Sequence, residues 1–295
     1  MTTLHDASQA FVASLSRMSA STRYRYPLVL GRFLAAHPGL ELDGLTPILL
    51  SAYVTNTPGA PKSAHQVRDI LRSFCSWCVR SGLLPSNPAH AVGAPKVPAR
   101  RRPKLTEDQL AHMLAGPAMR HSNPARVARD VAMMETFYGC GVRLAELCAL
   151  DWGDVLPDGR LWVRSGKGDK ERFIPLSRPA RAALTAWQGC RYPDGCEPSG
   201  PLFTALAAHG RAVVGGRLEK SSVWAIVKSY APEGVRVHPH MFRRTFASDL
   251  ARGGCDLFAL RQMMGHASTT TTQLYVDVDD AHMREAYDRA HPRQK

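Results

Sequence analysis

The chain has no apolar run approaching the ~20 residues needed to cross a bilayer. Residues 1–20 also lack the charged start and apolar centre of a secretory signal. Both absences argue against a membrane or exported protein and predict the cytoplasm. The phosphate-cradling pattern GxxxxGKS or GxxxxGKT is missing as well: Gly166-Lys167 has neither that spacing nor a following helix. Seven cysteines form an odd set without regular framework spacing, which excludes a disulfide-stapled scaffold and fits a reducing compartment. His238-Pro239-His240 has no acidic or cysteine companions at ligand spacing, so no metal is expected there.

What is present points to a polyanion. The formal net charge of +13 creates a surface field that favours nucleic acid as partner. With 44% hydrophobic and 21% charged residues, the chain has the composition of ordinary globular protein. Its 295 residues are enough for two domains, each with its own core.

Residues 1–93 read as several helices separated by Gly and Pro, a small helical domain. Thr46-Pro47 supplies an N-cap and a proline at the first helical position, starting a helix through about Val54. The clearest helix covers 63–80, with Val67, Ile70, Leu71, Phe74, Cys75, Cys78 and Val79 on its apolar face. Cys75 and Cys78 form a CxxC, but on this face they are expected to pack as small hydrophobes. His65, Arg68 and Arg72 share the other side, either to meet phosphates or as a solvated face. Pro27 interrupts a helix expected over 23–36 and implies a kink or a late start.

A basic, proline-rich linker follows over 94–104, carrying Lys96, Arg100, Arg101, Arg102 and Lys104 among Pro95, Pro98 and Pro103. Proline keeps such a segment extended, as a tract that follows a DNA backbone or as a solvated hinge. The second domain, 105–295, opens with a capping box of Thr106 and Gln109. Helices dominate it, apart from one β-hairpin of strands 161–164 and 172–176 around the Gly- and Lys-rich turn.

Breaking and remaking a phosphodiester without nucleotide or metal requires guanidinium forks for the anionic phosphorus centre, a nucleophile and a proton donor. Four clusters offer these parts in order. Gly141-Val142-Arg143-Leu144-Ala145-Glu146 places an arginine where a helix begins, with Glu146 one turn on to orient a neighbouring cation. Gly166-Lys167-Gly168 lets a lysine project from the hairpin turn. His240 and Arg243, three apart, share one helical face. Gly265-His266 lies ahead of Tyr275, a hydroxyl that attacks at neutral pH only with a base and positive surroundings. Each cluster alone also has a plain structural reading; the ensemble is the signal.

Taken together, the motifs GxRxxEL, GKGxKxRxxPL, HxxR and GHxxxxTTxxY, preceded by Asn87-Pro88 and Lys104-Leu105-Thr106 and followed by Ala290-His291-Pro292-Arg293, resemble the tyrosine recombinase family, in its Xer branch, over nearly the whole chain. The resemblance implies a mainly α fold: a helical N-terminal core DNA-binding domain and an α-rich catalytic domain with a small β-hairpin. It implies Arg143 and Arg243 as phosphate-binding arginines, Lys167 as the acid for the 5′ oxygen and His240 as the proton-transfer histidine. His266 resembles the phosphate-bonding residue, Tyr275 the nucleophile forming a 3′-phosphotyrosine, and Glu146 a support. It implies no cofactor, a double-stranded DNA recombination site, and four protomers, alike or of two kinds, on two duplexes. A DNA translocase as activator, a closing helix over 281–291 docked into a neighbour, and resolution of chromosome or plasmid multimers during cell division belong to the same implication. Alternatives remain a mobile-element integrase, a type IB topoisomerase, or a noncatalytic DNA-binding protein. Pro27 and the long Gly-rich stretch 188–216 depart from the family pattern.

Overall fold

Caps decide where the first helices begin. In α1 (Leu4–Ser14), Thr3 and Asp6 exchange side chain and backbone reciprocally, with Asp6 N donating to Thr3 Oγ1 over 3.1 Å. Ser19 starts α2 (Ala20–Ala36), Thr46 starts α3 (Pro47–Thr55) by accepting from Leu49 N at 3.2 Å, and Pro61 opens α4 (Pro61–Arg80). The computed structural model describes residues 3–95, 103–164, 171–193, 195–207 and 212–265, and among these α-helix dominates. The chain divides into two compact units, Met1–Arg101 and Arg102–Lys295.

In the first unit α1 to α4 enclose a core of Leu4, Phe11, Leu30, Phe33, Leu50, Val54, Leu71 and Phe74. Cys75 and Cys78 are fully buried in it, and burial pushes their thiols up to about 12 and about 11 respectively. Such thiols stay protonated and pack as the sequence implies. Of the two expectations for Pro27, a kink or a late start, the late start is not what forms: the helix begins at Ala20 and runs through Pro27. Proline lacks the N–H that would serve the carbonyl of Arg23, and Arg23 is exposed, so water can take that role.

The expected cap at Thr106 forms in the second unit. Thr106 and Gln109 form the capping box of α5 (Glu107–Arg120). Ahead of it, Lys104 Nζ reaches Ser248 Oγ at 2.7 Å, Leu105 N donates to Thr245 Oγ1 at 3.0 Å, and Arg244 holds the carbonyl of Pro103 at 3.1 Å. Helices α6 (Pro124–Cys140), α7 (Leu144–Ala149), α8 (Arg178–Arg191), α9 (Lys220–Ser229), α10 (Pro239–Arg252) and α11 (Leu257–Met264) follow. Helix α6 is central: it packs on α5, α8 and α10, and buries Met133, Met134, Phe137 and Cys140.

Strands β1 (Arg160–Val163) and β2 (Arg172–Pro175) pair antiparallel, Val163 opposite Arg172, as the expected hairpin. A second antiparallel pair, β3 (Thr204–Leu206) and β4 (Ala212–Arg217), corrects the expectation of a single hairpin. Ala-Val-Val-Gly-Gly-Arg carries three residues disfavoured in strands, so its composition hides the strand that cross-strand pairing stabilises. Among the described residues no helix is long and apolar enough to cross a membrane.

Candidate active site

The site is built where four chain segments end or begin. Helix α6 stops at Gly141, whose left-handed φ of 57° only glycine adopts freely, and a Cβ there would collide with the Phe246 ring. The turn delivers Arg143 as the N-cap of α7, with Glu146 in the first turn. Helix α10 brings His240 and Arg243, and α11 ends at Gly265, again left-handed at φ 58°.

Glu146 is the centre of the arrangement. Only 4% of it is exposed. Arg143 N donates to its Oε2 at 2.7 Å and Arg143 Nη1 to its Oε1 at 2.5 Å. Arg172 grips the same carboxylate with both fork nitrogens, Nη1 to Oε1 at 3.1 Å and Nη2 to Oε2 at 2.7 Å. Arg243 Nη1 stands 4.0 Å from Oε2. Burial opposes ionisation of Glu146, but the hydrogen bonds and charge of Arg172, then those of Arg143, outweigh it and hold the carboxyl at about 2. One negative charge thus sits among three positive ones, a local surplus of positive charge suited to an anion.

The remaining donors meet the end of α11. Arg172 Nε bonds the carbonyl of Met263 at 2.8 Å, Arg243 Nη2 bonds that of Met264, and Arg143 Nη2 bonds that of Gly265 at 3.1 Å. These are the orphan carbonyls of a helix C-terminus, where the dipole favours cations. Arg243 Nη1 also donates to Gly141 O at 2.5 Å. Arg243 is buried, whereas the Arg143 side chain keeps 20% of its surface exposed.

His240 lies in the first turn of α10, one turn before Arg243, and is exposed. The protein around it, and then the charges of Arg243, Arg244, His238 and Arg143, hold the imidazole below its usual 6.5. At neutral pH it is therefore unprotonated and able to accept a proton. Among the described residues no group of three or more His, Cys, Asp or Glu is arranged to hold a metal ion.

The structure thus brings together Arg143, Glu146, Arg243 and His240. Lys167, His266, Tyr275, Arg100, Arg101, Arg102 and the helix expected over 281–291 lie outside the described residues. The stem of the hairpin that carries Lys167 is described: Trp162 stacks on Phe173 with centroids 6.0 Å apart, and Arg164 Nε pairs with Asp154 Oδ1 at 2.5 Å.

The basic face of α4 has a different character. Arg72 donates to the carbonyls of Ala89 at 2.8 Å, His90 at 3.0 Å and Val92 at 2.8 Å, while His65 Nε2 bonds the Pro95 carbonyl at 2.8 Å. Arg68 pairs with Asp69 at 2.7 Å. Two members of this stripe therefore clasp the segment that follows α4, and any phosphate must compete with those carbonyls.

Arg172 stands in the motif GKGxKxRxxPL, but the sequence reading gave it no role. A signal existed: strand β2 alternates buried and exposed residues, and Arg172 is in phase with the buried Ile174. A charge on the inward face of a strand calls for a buried partner.

Comparison with known proteins gives the family. The model of the phage integrase family matches residues 103–282. The chain is 36% identical over 240 residues to the tyrosine recombinase XerC of Shewanella sp. (strain ANA-3), covering 80% of this chain and 76% of that one. It is 35% identical over 302 residues to the XerC of Chromohalobacter salexigens, covering 99% and 97%. In fold it is similar to a lambda integrase dimer bound to a core site (TM-score 0.71, 22% identity, 93% and 95% covered). It is equally similar to the Tn1549 transposon integrase in complex with transposon right end DNA (TM-score 0.71, 15% identity, 97% and 99% covered). The chain belongs to the phage integrase family. Within it, it is a Xer-type tyrosine recombinase, a site-specific enzyme that cleaves and rejoins DNA.

Proposed function

We propose that the chain joins DNA strands through a covalent 3′-phosphotyrosine on Tyr275, and that its biological role is the Xer-type resolution of chromosome or plasmid multimers. The observation that carries the reading is the convergence of Arg143 and Arg243 on the buried Glu146, with His240 one turn before Arg243 on α10. The Tyr275 oxygen attacks the scissile phosphorus, the bond to the 5′ oxygen breaks, and Lys167 supplies that oxygen's proton. Neutral His240 takes the tyrosine proton, and His266 hydrogen-bonds the phosphate. Arg143 and Arg243 stabilise the charge of the pentavalent centre. The 5′-hydroxyl of a partner strand then attacks the phosphotyrosine and releases Tyr275, so the linkage energy is retained and no nucleotide is consumed.

The partners in this reading are a double-stranded recombination site, four protomers on two duplexes, and a DNA translocase as activator. The net charge of +13 supports the DNA, with Arg68, Arg72, Arg100, Arg101 and Arg102 as candidate backbone contacts. Relatives named XerC support the Xer role over a mobile-element integrase.

The test incubates wild type and Tyr275→Phe with nicked genomic fragments from the source organism, quenches in denaturing detergent, and sequences DNA that stays attached to protein. Adducts made by wild type alone, concentrated at one sequence, are expected. Adducts persisting in Tyr275→Phe refute the nucleophile. Binding without any adduct favours a noncatalytic DNA-binding protein.

A further inference from the structure

Arg172 occupies a place no other side chain in the described site shares. It is the first residue of β2, five positions after Lys167 in the chain. Its fork closes on Glu146 of α7 and its Nε on the Met263 carbonyl of α11, two residues before Gly265 and three before His266. One guanidinium therefore ties together three segments, each adjoining or carrying a residue assigned to the chemistry. The approach is close: a Cβ on Gly265 would lie 3.0 Å from Arg172 Nη1 and 3.2 Å from Cζ.

Stability alone does not account for this. A buried ion pair gains little over an apolar pair of the same volume, because desolvation offsets the attraction. A planar fork that fixes a carboxylate while its Nε fixes a carbonyl on another element provides something an apolar pair does not, namely direction. Glu146, so held, in turn fixes Arg143 through Nη1 and through its backbone N–H.

We infer that Arg172 is a positioning residue for strand cleavage, acting through Glu146 on Arg143 and through the Met263 carbonyl on the chain that leads to His266. It touches no DNA itself, since only 8% of it is exposed. Its contribution is to the rate of the chemical step and not to affinity. The inference rests on the phosphotyrosine reading above.

The test uses the full chain and, as nicked duplex, the sequence recovered from wild-type adducts. Thermal unfolding, DNA affinity and single-turnover cleavage at saturating DNA are measured for Arg172→Lys, Glu146→Gln and the double variant. Arg172→Lys is expected to bind DNA as wild type does and to cleave about 10²-fold more slowly, the size of loss that a misplaced catalytic group produces. The double variant should be no slower than the slower single one, because both break the same link. Should Arg172→Lys fail to fold, Arg172→Gln combined with Glu146→Gln removes both charges of the pair and must show the same slow cleavage.

A cleavage rate equal to wild type in a folded Arg172 variant overturns the inference, as does a rate loss matched by an equal loss of affinity. Losses that multiply in the double variant overturn the route through Glu146. If wild type itself forms no adduct, the phosphotyrosine reading fails, and the inference fails with it.

Discussion

The two arginine-rich regions look alike in sequence and differ in what surrounds them. On α4, Arg72 holds three backbone carbonyls and Arg68 a neighbouring aspartate, so the stripe closes on its own unit. Around α7, three arginines share one buried carboxylate and the carbonyls at the end of α11. The first is a clasp made by a cation on neutral dipoles; the second holds a surplus of charge in a protein-lined recess. Basic spacing alone does not distinguish them, whereas the ratio of arginines to buried acids does.

Removing the acid should break the contrast most severely. Glu146→Ala leaves Arg172 buried without its carboxylate and should cost about 3–5 kcal/mol, measured by denaturant unfolding of the whole chain. A loss no larger than that of an exposed glutamate would contradict the central role given to this residue. The same group sets an acid limit. Its folded value of about 2 lies below its ordinary 4.5, so its contribution is complete above about pH 4.5 and is lost as pH falls toward 2. Glu146→Gln should flatten the stability profile across that window.

Next in size is Arg143→Lys, which keeps the charge and loses the fork. Single-turnover cleavage should fall about 10²-fold or more while DNA binding persists. An unchanged rate removes Arg143 from the chemistry.

What the sequence made legible was local. The caps at Thr46 and Thr106 and the apolar face of α4 depend on neighbours within a few residues, and they appear as expected. His240 and Arg243 share a face because their spacing matches one helical turn. Arg172, although part of a quoted motif, received no role because its partner Glu146 lies 26 residues away and its other acceptor, Met263, lies 91 away. No local pattern encodes such a meeting. The pair β3 and β4 escaped for a related reason: glycine and alanine in β4 are accepted because Thr204 and Leu206 pair with that strand, which is a tertiary fact. Pro27 shows the converse: a local objection does not stop α2, which continues through it and packs against α1 and α4.

On the α4 side the comparison sharpens with Arg72→Ala. The loss of charged donors to the carbonyls of Ala89, His90 and Val92 should destabilise the chain by about 1–3 kcal/mol. If Arg72 serves the fold alone, the salt dependence of DNA binding should keep its slope. A slope reduced by about one unit would instead place Arg72 on a phosphate.

The smallest effect concerns His240 and tests whether the surplus charge is felt where chemistry is assigned. Burial, and then the surrounding cations, lower its value below 6.5. The folded protein therefore refuses a proton that the unfolded chain accepts, so stability is full above pH 6.5 and declines as pH falls through the folded value. Arg244 contributes to the shift, yet its guanidinium bonds the Pro103 carbonyl on the outer side of α10. In Arg244→Gln the His240 ring, followed by NMR, should titrate closer to 6.5, with Arg143, Arg172 and Arg243 left in place. An unmoved midpoint would mean that the charge of Arg244 does not reach the ring, and that burial with Arg243 sets the value. The charge felt by His240 would then come from Arg243, one turn away on the same helix, and not from Arg244, so the surplus would act on the ring only from the side where the chemistry is assigned.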